Sequence, residues 1–129
     1  MYCFKIELSI GFNESLELLK ESLKAENFGV ATEIDLQATV KNKANIDMSG
    51  YRILGACIPI VAKQVVDIDP DAGNLLPCNI VVREVAINKT VISFMNPKMV
   101  LGLANNEAIT KLADEAYEEL QKVKQRLIK

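Results

Sequence analysis

Tyr2, Phe4, Ile6, Leu8 and Ile10 alternate with Cys3, Lys5, Glu7 and Ser9. A period of two predicts a strand with one buried face. Gly11 ends it, and the period then changes. Phe12, Leu16, Leu19 and Leu23 are spaced by four, three and four, which draws one stripe along a helix. Asn13 is the expected cap of that helix, because its side-chain oxygen can accept from an orphan backbone N–H. Asn27 and Gly29 supply a stop near Phe28. Gly29 to Asp35 reads as a second strand, and Asp35 as the cap of a short helix through Lys43. Residues 45–50 read as a polar loop and Tyr51 to Cys57 as a third strand. Pro59 then suits the first turn of a helix to about Val66.

The second half of the chain follows the same logic. Asp69-Pro70 and Ala72-Gly73-Asn74 mark residues 67–76 as a loop. Cys78 to Ala86 and Thr90 to Met95 predict a hairpin turning at Ile87-Asn88-Lys89. Ile80, Val81 and Val82 are apolar on consecutive positions, so this strand is expected to be central and covered on both faces. A turn of helix is expected after Pro97. Ile109, Leu112, Ala116, Leu120, Val123 and Leu127 then share one face of a long helix over 107–127. Acidic residues gather at its start and basic ones at its end, as the helix dipole favours. The order of elements predicts an α+β fold: a single-layer mixed or antiparallel sheet with helices mainly on one face.

Composition narrows the partners. The 129 residues suit one domain, spanning 1–129, and half of them are hydrophobic. The formal charge of −2 gives no basic excess for nucleic acid, and the absence of Trp weakens base stacking. No apolar run approaches the roughly 20 residues of a membrane span, and the N-terminal stretch lacks a basic leader. A cytoplasmic protein is expected, with its three cysteines reduced.

Cys57 carries the candidate chemistry. It closes an apolar strand just before a helix start, where unpaired N–H groups and the positive dipole end stabilise a thiolate. A free thiol of pKa ~8.5 falls to ~3.5–7.5 where a helix end or a cation helps. Cys78 follows Pro77 at the start of another strand, and matched strand ends would bring the two sulfurs together. The plainer reading is core filling, since free cysteine packs as a small hydrophobe. Cys3 lies on the polar face of the first strand and receives no role. Cys57, Cys78, Met95 and Met99 are soft donors, but the chain has no histidine and no Cys-x-x-Cys. No metal and no cofactor is expected. Glu33 and Asp35 share one face of the second strand and form a carboxylate pair, for which capping and solvation are the simpler reading. Lys41 and Lys43 form a small basic group on a helix face expected to be solvated.

Tyr51-Arg52-Ile53-Leu54-Gly55-Ala56-Cys57-x-Pro59, followed by Gly73-x-Leu75-Leu76-Pro77-Cys78-Asn79, resembles the domain-of-unknown-function family 302. Phe28-Gly29-Val30-x-Thr32-Glu33-Ile34-Asp35 and the helix with Thr39, Lys41 and Lys43 are similar to its N-terminal part. The likeness covers about residues 5 to 105. It implies a small bacterial or archaeal α+β domain that forms dimers, with cysteines at both Cys57 and Cys78, and it brings no reaction. The family commonly has Asn where this chain has Ile58, so a pocket built on that amide is altered here.

Three readings follow. The first is a binding protein whose ligand pocket is lined by Cys57, Cys78, Asn79 and Glu33. The second is a redox or sulfur-transfer enzyme with Cys57 as thiolate and Cys78 as resolving partner. The third is a structural homodimer with inert, packed thiols. Without histidine, the commonest general base is missing, which favours binding or packing over hydrolysis; a redox thiol does not need that base, so the second reading stands beside them.

Overall fold

The structure is a computed structural model and describes residues 1–128. Five strands form one antiparallel sheet: β1 (Cys3–Leu8), β2 (Gly29–Asp35), β3 (Tyr51–Cys57), β4 (Cys78–Ala86) and β5 (Lys89–Met95), in the spatial order β1-β5-β4-β3-β2. The helices are α1 (Phe12–Ala25), α2 (Leu36–Ala44), α3 (Pro59–Ile68), α4 (Pro97–Leu101) and α5 (Glu107–Leu127). The α+β class and the antiparallel sheet are as expected from the alternation of periods.

The alternation in β1 decides which face is buried. Phe4, Ile6 and Leu8 pair in register with Phe94, Ile92 and Thr90 of β5, and β5 in turn sets Ile80 and Val82 of β4 on the same side. Leu54 and Ala56 of β3 complete this face. Leu16, Leu19 and Leu23 of α1 and Leu120, Val123 and Leu127 of α5 close over it. Each fully buried aliphatic or aromatic side chain contributes roughly 1.5–3 kcal/mol. Phe4 stacks on Phe94 with centroids 5.1 Å apart and meets the edge of Tyr117 at 5.6 Å, tying the edge strand β1 to α5. A smaller cluster of Val65, Ala72, Leu101, Ile109 and Ala113 joins α3, α4 and the first half of α5. This second cluster forms one wall of the site described below.

Several local expectations change. Gly11, and not Asn13, is the N-cap of α1; it makes no side-chain bond, while the Ser15 hydroxyl donates back to the Gly11 carbonyl at 2.8 Å. The stretch expected as a loop holds a 3-10 helix over Pro70–Leu75. Asp69 accepts from the Asp71 N–H and Pro70 takes the first position, so turn-forming residues here build a tight helical turn. β4 is central, but only one of its faces is closed by helices, and Val81 on the other face is half-buried. Asp35 caps α2 as expected, accepting from the Ala38 N–H. The four left-handed residues, Asn27, Asn45, Asn88 and Asn105, are all asparagine, the side chain other than glycine that tolerates this region best. No helix among the described residues is long and apolar enough to cross a membrane.

Candidate functional site

The pairing of β3 with β4 decides whether the two thiols meet. Ala56 lies opposite Cys78, so Cys57 is one residue along from Cys78's partner. Both cysteines line a single cavity of about 20 Å³, together with Phe28, Ile58, Val61, Ala62, Val65, Leu76, Leu101 and Ala116. Several parts of the chain converge there: Phe28 between α1 and β2, the β3–α3 turn, α3, the approach to β4, α4 and α5. Every cavity side chain apart from the two thiols is apolar. The volume admits a single water-sized group.

The two thiols differ in their surroundings. Cys78 is 3% exposed, whereas Cys57 is half-buried at the turn before α3. Ile58 is the N-cap of α3 and Pro59 its first residue, so Cys57 stands just ahead of the helix N-terminus. Burial pushes the Cys78 thiol up to about 11, and the neighbouring Cys57 adds to the rise, because a second thiolate nearby would repel the first. Cys78 is therefore protonated at neutral pH. All three cysteines are free.

Close packing holds the two strands together beside the thiols. A Cβ at Gly55 would lie 2.3 Å from Thr32 Oγ1 and 2.6 Å from Pro77 Cγ. Only glycine lets Pro77 lie flat on β3, and Pro77 directly precedes Cys78.

The other two sequence candidates fall elsewhere. Asn79 pairs with Gly55 and is exposed, one residue on from Cys78 and therefore on the opposite side of β4. Glu33 pairs with Leu54 on the edge strand and does not line the cavity. It accepts from Lys20 Nζ at 2.8 Å and Arg52 Nη1 at 2.6 Å. The Lys20 bond holds its carboxyl below the usual range; partial burial opposes this and Arg52 adds to it. Arg52 also reaches Asp35 at 3.3 Å and lies over the Phe12 ring. Glu33 and Asp35 thus form part of a charge-compensated clasp between α1, β2 and β3. Lys41 pairs with Asp47 at 2.9 Å.

Residues that the sequence reading did not single out complete the site. Phe28, Leu76, Leu101 and Ala116 wall the cavity; the sequence shows Phe28 and Leu76 only as motif positions and Ala116 only on the apolar face of 107–127. A groove shares Ile58 and Val61 with the cavity and is otherwise lined by Glu26, Asn27, Glu115, Glu118 and Glu119. Arg126 pairs with Glu26 and Lys122 with Glu119, while Glu115 and Glu118 have no ion-pair partner among the described residues. The same residues contain no group of three or more metal-ligating side chains.

The family model described as "Domain of unknown function DUF302" matches residues 4–127. A solved structure, that of the uncharacterized conserved protein DUF302 from Bacillus stearothermophilus, is similar at 30% identity and a TM-score of 0.88, over 98% of each chain. No curated protein matches.

Proposed function

The chain belongs to the DUF302 family, and from that premise we propose that it is a small thiol-dependent binding protein that carries a small, soft group on Cys57, in the cavity shared with Cys78. One observation carries the reading. Two cysteines 21 positions apart line the same small apolar cavity, one of them half-buried and the other sealed. A site for an ordinary organic ligand would need roughly 300–1,000 Å³. The cavity of about 20 Å³ restricts the cargo to an atom or two. Cys57 is the residue that bonds it, and Cys78, held as the thiol, packs against it. Asn79 and Glu33 take no part. Three free thiols suit a reducing compartment, and we assign the protein to the cytoplasm.

Reagent size tests this reading. A methylthio group delivered by methyl methanethiosulfonate should reach Cys57 in the folded protein. A maleimide bearing a polyethylene glycol chain should be slowed by on the order of tenfold or more, each rate taken relative to its own in urea. If neither reagent is slowed, Cys57 is an ordinary surface thiol. Equal slowing of both, or no reaction with either, would make it core filling.

A second copy is the proposed partner, on separate grounds. The sheet face away from α1 and α5 carries Ile53, Val81 and Met95, all half-buried. Five strands ~4.8 Å apart and about six residues of ~3.3 Å each give a face of roughly 500 Å² per copy, near the lower bound of a stable interface. Sedimentation should give a dimer, and Val81→Lys a monomer; a wild-type monomer at all concentrations removes this part of the proposal.

A further inference from the structure

We propose that the group carried on Cys57 is sulfane sulfur, held as a persulfide whose outer atom occupies the cavity. The inference rests on the thiol-site reading above and adds the chemical class of the cargo.

Size and polarity select the cargo. The cavity has room for one added atom, and its other side chains, Phe28, Val65, Leu76, Leu101 and Ala116 among them, offer no hydrogen-bond donor. Oxidation of Cys57 to a sulfenic acid would place a polar oxygen there with only the weak Cys78 S–H as a side-chain donor, which costs free energy. A second sulfur, held by the apolar walls as the neutral S–SH, is polarisable and packs well among aliphatic and aromatic groups.

The step is an exchange between thiolates. Cys57 thiolate attacks the outer sulfur of a donor persulfide, R–S–SH. A new S–S bond forms on Cys57, the donor's S–S bond breaks, and R–S⁻ leaves with the electron pair. Delivery is the same step in reverse, with an acceptor thiolate attacking the outer sulfur and Cys57 leaving as thiolate. Neither step needs an added oxidant or a histidine base. A competing step exists: Cys78 thiolate could attack Cys57–S–SH at its inner sulfur, forming the Cys57–Cys78 disulfide and expelling HS⁻. That attack needs the thiolate, and burial keeps Cys78 protonated at neutral pH. The groove that shares Ile58 and Val61 with the cavity is lined by the carboxylates of Glu26, Glu115, Glu118 and Glu119, of which Glu26 and Glu119 are paired with Arg126 and Lys122. Glu115 and Glu118, without an ion-pair partner among the described residues, make a cationic donor the better match than an anionic one.

Cysteamine persulfide, a cationic probe, is added to the reduced protein, and the product is read by intact mass and peptide mapping. The expected result is a gain of about 32 Da, one sulfur, on Cys57. This adduct should outlast the same adduct in urea by on the order of tenfold against excess thiol. Glutathione persulfide should load more slowly, with the gap closing in high salt. Hydrosulfide release with disulfide formation should rise about tenfold per pH unit between pH 8 and 10, following the Cys78 thiolate. It should vanish in Cys78→Ala, or in Cys78→Ser if the alanine variant does not fold. No added sulfur on a Cys57 that still accepts the methylthio group overturns the sulfane assignment and leaves the thiol site standing. A Cys57 that accepts neither overturns both. An adduct no longer-lived than its urea counterpart overturns the role given to the cavity.

Discussion

Gly55→Ala adds one methyl group where β3, β2 and the approach to β4 touch. The new Cβ would stand 2.6 Å from Pro77 Cγ and 2.3 Å from Thr32 Oγ1. Carbon atoms in contact prefer ~3.5–4.0 Å, so the overlap with Pro77 is about 1 Å. Thr32 is exposed and can swing its hydroxyl aside, whereas the Pro77 ring has no rotamer to change to. Relief therefore requires Pro77 to lift off β3, at the position where Gly55 pairs with Asn79. Overpacking of this kind costs ~1–3 kcal/mol, and the loss of glycine's freedom in the unfolded chain returns ~0.4–1 kcal/mol. The net expectation is about 1–2 kcal/mol of destabilisation, or a fall in Tm of roughly 3–8 °C. Urea unfolding should show a lower midpoint with an unchanged slope. Thr32→Ala in the Gly55→Ala background should restore only part of the loss, since Pro77 remains. Gly102→Ala, where nothing lies within 4 Å, is the control and should stay within ~0.5 kcal/mol. If Gly55→Ala unfolds at the same urea concentration as Gly102→Ala, the close approach of Pro77 to β3 is wrong, and with it the support assigned to Cys78.

Other outcomes follow from the same packing and charge arguments. Glu33→Gln should cost about 0.5–1 kcal/mol at neutral pH, because Lys20 and Arg52 lose a charged acceptor that is only partly screened. The Glu33 carboxyl is depressed in the folded protein, so its contribution is present above the ordinary carboxylate pKa and is lost as pH falls through the folded value. Wild type and Glu33→Gln should therefore converge in acid, which urea titrations at several pH values would show. Leu120→Ala empties a fully buried position of α5 against the sheet and should cost ~2–5 kcal/mol in the same unfolding assay. Asn106→Ala removes the side-chain acceptor for the Ile109 N–H at the start of α5 and should cost about 1 kcal/mol, read as a lower Tm.

Periodicity made most of the elements legible, for a physical reason. β1, α1 and α5 each bury one face only, so the spacing of apolar residues reports the element directly. Val81 is as apolar as Ile80 and Val82, yet it lies on the face that α1 and α5 leave open; composition alone does not tell a helix-covered face from an open one. Asp69 to Leu75 uses turn residues, and a 3-10 helix is built from the same chemistry as a turn. Whether Cys57 and Cys78 are adjacent depends on strand pairing, which spacing does not give; the register of β3 on β4 brings them together. The burial of Cys78 is not legible, because the side chains around it come from the α1–β2 turn, α3, α4 and α5, which are remote in sequence. Glu33 is legible as one of a carboxylate pair with Asp35 on one face of β2, but its partners Lys20 and Arg52 come from a helix and a strand that only the fold brings together.

The central claim is that one thiol of the pair is available and the other is sealed beside it. Peptide-resolved alkylation with iodoacetamide, compared between folded and urea-unfolded protein at one pH, measures this directly. A rise of the Cys78 pKa from 9.0 to about 11 leaves ~100-fold less thiolate in the folded state. Cys78 should accordingly label at least ~100-fold more slowly folded than unfolded, while Cys57 is labelled in both states. Labelling of Cys78 in the folded protein as fast as that of Cys57 would contradict the account.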